Sequence, residues 1–264
     1  MRRDTGFALI AVLWVVVALG GIVGLAAGAA RLGQRESINR IALTRGRWAA
    51  EACLAIAQAR WDEHALADTA TVDLGGRTWC AWRLTDPTAR LNVNTADSGV
   101  LATALCGGRS PCAADGLVRL RDTAPLTDLV QAAAVPGLDS ASLALLTVDG
   151  PGTVNVNAAP APILLALPGL GPEAVARIEM RRLAGRPYAS LDALAADLSP
   201  PARAALLARY GDLARQVTFT APALVLTALG WVDGVGAPDR LHATIELLAI
   251  PLQGRLTLVR RRMW

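Results

Sequence analysis

The sequence predicts an α+β protein: a long N-terminal helix packed on an antiparallel sheet, with an all-helical insertion dividing the sheet in two. Three observations predict it. A charge-free apolar run opens the chain, strand-like alternation appears both early and late, and an Ala/Leu-rich stretch between them carries a doubled motif. The expected segments are a short polar stretch at 1–6, an apolar helix at 7–30, and a second helix with the first strands at 31–89. A helical insertion follows at 90–213, with repeats at about 90–150 and 151–213, and the remaining strands occupy 214–264.

The apolar helix comes first. Phe7 to Ala30 carries no charged side chain. At ~1.5 Å per residue it makes roughly 36 Å of helix, enough to cross a bilayer core of ~30 Å. An unbroken helix satisfies its own backbone amides, as lipid requires. Arg2 and Arg3 precede the span, so the positive-inside rule keeps the N-terminus cytoplasmic and exports the rest. Gly20, Gly24 and Gly28 recur every four residues. That places them on one face, where a second helix can approach closely.

From Arg31 to about Ala67 no proline occurs, and Ile38, Ile41, Trp48, Cys53 and Ile56 alternate with charged residues. This reads as an amphipathic continuation of the helix, weakened at Gly33 and Gly46. Trp48, Trp61, Trp79 and Trp82 are the expected helix–sheet core. Thr71 to Leu84 reads as strand–turn–strand around Gly75-Gly76. Late strands are expected at Val217 to Leu229, Leu241 to Ile250 and Leu256 to Val259.

Between them, Leu91-Asn92-Val93-Asn94 returns 63 positions later as Val154-Asn155-Val156-Asn157. Asp128 with Asp192, and Leu145-Leu146 with Leu206-Leu207, recur at similar offsets, so one helical unit is duplicated. Asn94 or Thr95, and Asn157, are expected to cap the helices that follow. Leu167-Pro168-Gly169-Leu170-Gly171-Pro172-Glu173 looks like a helix-hairpin-helix turn, with Val135-Pro136-Gly137-Leu138-Asp139 as its first copy. DNA-binding hairpins hold a phosphate on amides after the glycines. Here Pro172 lacks an amide hydrogen, and Glu173 places a carboxylate where phosphate would sit. Both turns read as packing turns, and Arg177, Arg181 and Arg182 as a solvated face.

The chain has 264 residues, 26 arginines against 22 acids, no lysine and only two histidines. Net charge +4, scattered along the chain, does not mark a nucleic-acid binder. No phosphate loop, dinucleotide fingerprint, zinc-helix motif or nucleophile elbow occurs, so no enzyme is expected; Asp62-Glu63-His64 reads as a charged helix end. Four cysteines allow three pairings, and export to an oxidising compartment favours bridges. Cys106 and Cys112 flank a loop whose glycines let them meet. Cys53 on the helix and Cys80 on an early strand are candidates for a second bridge.

The Gly6-Phe7 junction, with a basic leader before it and an apolar helix after it, resembles the processing site of type IV prepilins and type II secretion pseudopilins. There a prepilin peptidase cuts after the glycine, and the new N-terminal residue, here Phe7, is methylated. Most members carry a glutamate five residues into the mature chain; here Ala11 stands instead. That departure, with the doubled Asn-Val-Asn motif and the late strands, resembles the general secretion pathway protein K family of minor pseudopilins. The resemblance implies a pilin-like sheet interrupted by two SAM-like repeats. It implies an inner-membrane protein with a periplasmic domain, placed at the pseudopilus tip, where it acts in initiation or capping. Its partners would be I-type and J-type minor pseudopilins, the major pseudopilin, prepilin peptidase and the inner-membrane assembly platform. Family members can bind calcium. Asp233 and Asp239 flank one candidate loop, but two carboxylates fall short of a calcium shell, so no cofactor and no metal are expected. The hairpin and the Asn-Val-Asn motif also resemble membrane-anchored DNA receptors of competence systems, which is the alternative reading.

Overall fold

The computed structural model describes residues 5–62, 66–108, 112–233, 242–252 and 255–263. Helix α1 (Thr5–Asp62) runs unbroken through the apolar run and its amphipathic continuation. Strands β1 (Thr69–Gly75) and β2 (Thr78–Thr85) form a hairpin, with Gly75, Gly76 and Arg77 all at positive φ. A 3-10 turn (Pro87–Ala89), capped by the Asp86 carboxylate, leads into the insertion.

The first repeat comprises β3 (Leu91–Asn92), α2 (Ser98–Cys106), α3 (Ala113–Thr123), α4 (Leu129–Ala132), α5 (Ser140–Ala144) and β4 (Leu146–Thr147). The second comprises β5 (Val154–Asn155), α6 (Ala161–Ala166), α7 (Pro172–Leu183), α8 (Leu191–Ala196), α9 (Pro200–Ala208), α10 (Tyr210–Ala214) and β6 (Val217–Thr218). The chain then forms β7 (Leu224–Val232), β8 (His242–Leu252) and β9 (Arg255–Met263).

The five long strands make one antiparallel sheet in the order β1-β2-β7-β8-β9. The insertion leaves after β2 and returns before β7, so neighbouring strands are split in sequence. Each repeat is closed by its own short parallel pair, β3 with β4 and β5 with β6. Val217–Thr218 therefore pairs inside the insertion and does not start the late sheet, as the alternation had suggested. A two-residue strand is too short to show which partner it will take.

One face of the sheet receives α1. Ala49, Ala50, Cys53, Leu54 and Ala57 meet Cys80, Trp82, Leu226, Ala228 and Ile245 in a closed cluster. Small residues line the helix side because its backbone lies almost on the strands. A Cβ on Gly46 would stand 2.7 Å from the Gly230 carbonyl oxygen, and one on Gly230 would overlap the Gly46 carbonyl. Gly46 costs helix propensity, but this close approach requires it. The buried Cys53–Cys80 disulfide, Cα–Cα 5.9 Å, crosses the same seam.

The insertion has a separate core. Both repeats contribute to one continuous cluster, including Leu91, Leu101, Leu117 and Leu146 from the first and Ile163, Leu164, Ile178, Leu194 and Leu206 from the second. The second disulfide, Cys106–Cys112, joins the end of α2 to the cap of α3.

Candidate assembly surface

The first half of α1 carries a continuous apolar surface. Ile10, Val12, Leu13, Trp14, Val15, Val16, Val17, Leu19, Ile22, Val23 and Leu25 are all exposed, and the helix is long and apolar enough to cross a membrane. Gly20, Gly24 and Gly28 meet no other atom where a Cβ would stand, so that face is open. Gly6 and Phe7 lie in the first turns of the same helix.

Beyond the span, α1 has two unlike flanks. The small-residue flank is covered by the sheet. On the other, Ile41 is 53% exposed and Trp48 71%. They stand seven residues apart, two helical turns, and so share a face. Trp48 thus departs from the expected core. Trp79 departs too, because it alternates with Cys80 and Trp82 along β2 and so lies on the sheet face away from α1; its cross-strand partner is Trp231. Trp82 is 2% exposed and donates from Nε1 to the Ala67 carbonyl at 3.0 Å. Trp61 packs on Leu224, Ala249 and Leu256.

In the insertion the asparagines do something other than cap. Helix α2 is capped by Asp97, and α6 begins at Pro160 with no side-chain cap. Asn92 and Asn155 instead accept from the amides of Asn94 and Asn157. Asn94 then pairs with both backbone groups of Leu126, donating to its carbonyl and accepting from its amide. Asn157 does the same to Tyr188 and also donates to the Phe219 carbonyl. Arg121 donates to the carbonyls of Val93 and Ala96, and Arg182 to those of Val156 and Ala159.

These matched bonds define the duplication and correct two of its expected correspondences. Asp128 caps α4 as Ser190 caps α8, so Asp192 is not its equivalent. Leu146 lies in β4, whereas Leu206 and Leu207 lie in α9. Two members of the basic cluster on α7 also work internally, while Arg177 is exposed as expected. Arg182 holds the loop carbonyls, while Arg181 lies 4.5 Å from the Tyr188 ring centroid and donates to the Arg186 carbonyl.

The hairpin turn is packed inward. Gly169 sits at φ +81°, and a Cβ there would stand 3.2 Å from Arg209 Cβ and 3.3 Å from the Ala205 carbonyl oxygen. Glu173 accepts from the hydroxyl and amide of Ser199, bonds that hold its carboxyl below the ordinary range. The first-turn position that would face a phosphate is thus committed to α9. The Val135–Leu138 turn has the same bend at Gly137 but joins α4 to α5, whereas the Gly169 turn joins α6 to α7. The two are not equivalent copies.

Among the described residues no group of three or more His, Cys, Asp or Glu is placed to hold a metal. Asp233 follows the last residue of β7; its amide donates to the Arg77 carbonyl and its carboxylate accepts from Trp231 Nε1. Asp239 lies outside the described residues.

No protein-family model matches the chain, and no curated protein matches its sequence. Among solved structures, a chain of the GspK-GspI-GspJ complex from the enterotoxigenic Escherichia coli type 2 secretion system is similar in fold. The TM-score is 0.55 at 13% identity, over 89% of this chain and 99% of that one. The long apolar helix on an antiparallel sheet is therefore a pseudopilin-like fold.

Proposed function

We propose that this protein is a minor pseudopilin of the K type, which assembles with I-type and J-type minor pseudopilins at the tip of a type II secretion pseudopilus. The observation that carries the proposal is α1. Its first half is apolar and uncovered, and its second half is clasped by the sheet on one flank while Ile41 and Trp48 stand open on the other. An isolated subunit gains nothing from that open flank; a helix-to-helix assembly covers it. On this reading the N-terminus is cytoplasmic, the sheet and insertion are periplasmic, and the protein has no catalytic role.

Two features favour the tip. The insertion projects from the junction of β2 and β7, where it would obstruct a subunit stacked above. Ala11 leaves this chain without the carboxylate that other members place in the low-dielectric core, and such a buried charge is stable only when paired. The inward packing of Gly169 and the engagement of Glu173 weigh against a DNA receptor. N-terminal mass spectrometry of the full chain co-expressed with a prepilin peptidase tests the reading. Loss of Met1 to Gly6 with one methyl on Phe7 is expected, and Gly6→Ala blocks it. A persistent leader contradicts the proposal.

A further inference from the structure

The two cores do not meet. The buried apolar residues of the insertion form one cluster, those of the helix and sheet form others, and no buried residue is shared. Between the insertion and the sheet face away from α1 lies a cleft of about 690 Å³. Arg83, Glu246 and Arg262 line its sheet side, and Arg90, Asp128 and Asp149 its insertion side. Charged groups of both signs share these walls with Leu129, Val130 and Val148 of the insertion and Val225 of β7, and the open cleft keeps the two walls from packing on each other.

The chain crosses between the two bodies only where β2 ends and β7 begins. Thr85 and Val225 are register partners, so both crossings leave the sheet at one point. Contacts beside that point are close. Asn155 Nδ2 donates to Asp86 Oδ2 at 2.7 Å, and Gly150 lies over Pro87 and Thr88. Among the described residues, the opposite side is held by side chains of β9, two strands away and so about 10 Å from β7. Arg260 donates to the Asp149 carboxylate; Arg262 donates to the Thr127 carbonyl and lies 3.6 Å from Glu246.

We propose that the insertion swings about the paired ends of β2 and β7, and that Arg260 and Arg262 form an ionic latch that holds the cleft shut. Closure brings Arg260 to Asp149 and Arg262 to the Thr127 carbonyl across the cleft, while the Arg262–Glu246 pair lies within the sheet and is made in either state; closure also takes these charges out of water. Asp149 keeps only 9% of its exposure, and Glu246 is pushed up by burial first and by Asp149 next. Desolvation offsets much of the Coulomb gain in such pairs, so closure is only modestly favoured and responds to screening. Opening returns both carboxylates to water and leaves the two cores whole.

The test places spin labels at Val130→Cys, on the cleft rim and 77% exposed, and at Thr257→Cys on exposed β9. The full chain is held in detergent micelles and distances are read by pulsed electron resonance. At ~0.1 M salt, one short distance is expected. At ~1 M, where the screening length falls to about 3 Å, a second, longer population appears. Arg260→Asp makes the long population dominant, and adding Asp149→Arg restores the short one. A single unchanged distance at both salts overturns the latch, and the salt series needs no latch variant to fold.

Discussion

In the first repeat Asn94 grips one residue, Leu126, through two backbone bonds; in the second Asn157 grips Tyr188 the same way and adds the Phe219 carbonyl. Arg121 and Arg182 cover the same pair of carbonyls in their respective copies. The connections between the first two helices differ. The first repeat bridges them with Cys106–Cys112, the second with the tight Gly169 turn pressed on α9. The shared bonds mark the obligatory parts of the unit. Backbone groups buried by folding need partners, so the amide and guanidinium staples persist. A helix connection needs only to close the chain, and unlike solutions serve.

That contrast can be broken by mutation. No tryptophan lies in the insertion, while both tyrosines do, so tryptophan emission follows the helix–sheet core and circular dichroism follows both. Asn157→Ala removes three bonds and strands three backbone groups. It is expected to cost the insertion about 3 kcal/mol, against about 2 kcal/mol for Asn94→Ala. Urea titration should show the dichroism transition moving while the tryptophan transition stays. Equal losses would erase the difference between the staples. Replacing Cys106 and Cys112 by serine frees a short loop and should cost about 2 kcal/mol, read from the same titration; a negligible loss would make the bridge incidental. Arg121→Ala and Arg182→Ala should each cost about 1.5 kcal/mol, and their near equality is the point of the measurement.

The smallest effect belongs to the second repeat alone. Tyr188 donates to Asp197 at 2.6 Å, and burial, that bond and the nearby charge push its hydroxyl up to about 12. A raised value means the folded chain holds the proton more tightly. The contribution is fully present below the ordinary value near 10 and is lost as pH rises through about 12. Tyr188→Phe should remove this alkaline loss, measured as melting temperature against pH. Leu126, in the matching place, has nothing to titrate.

The sequence made the broad plan legible, since charge-free length, alternation and a doubled motif are local signals. It concealed what depends on distant partners. The asparagines looked like caps because a cap needs only its own helix, whereas their actual partners lie 31 and 32 residues away. An arginine on a helix reads as solvated, yet Arg121 and Arg182 point inward at carbonyls. Gly46 read as a weakness because Gly230, the backbone it must approach, is far along the chain. Trp48 read as core because burial of a large apolar residue is the usual outcome. Its exposure has meaning only if something else covers it.

The most direct test of that covering is reconstitution with partners. The full chain, co-expressed with I-type and J-type minor pseudopilins and extracted in detergent, should elute as one complex containing all three. Trp48→Asp should weaken its retention by at least roughly tenfold while leaving the melting temperature of the isolated chain unchanged. A chain that elutes alone, or a complex indifferent to Trp48→Asp, would contradict the account.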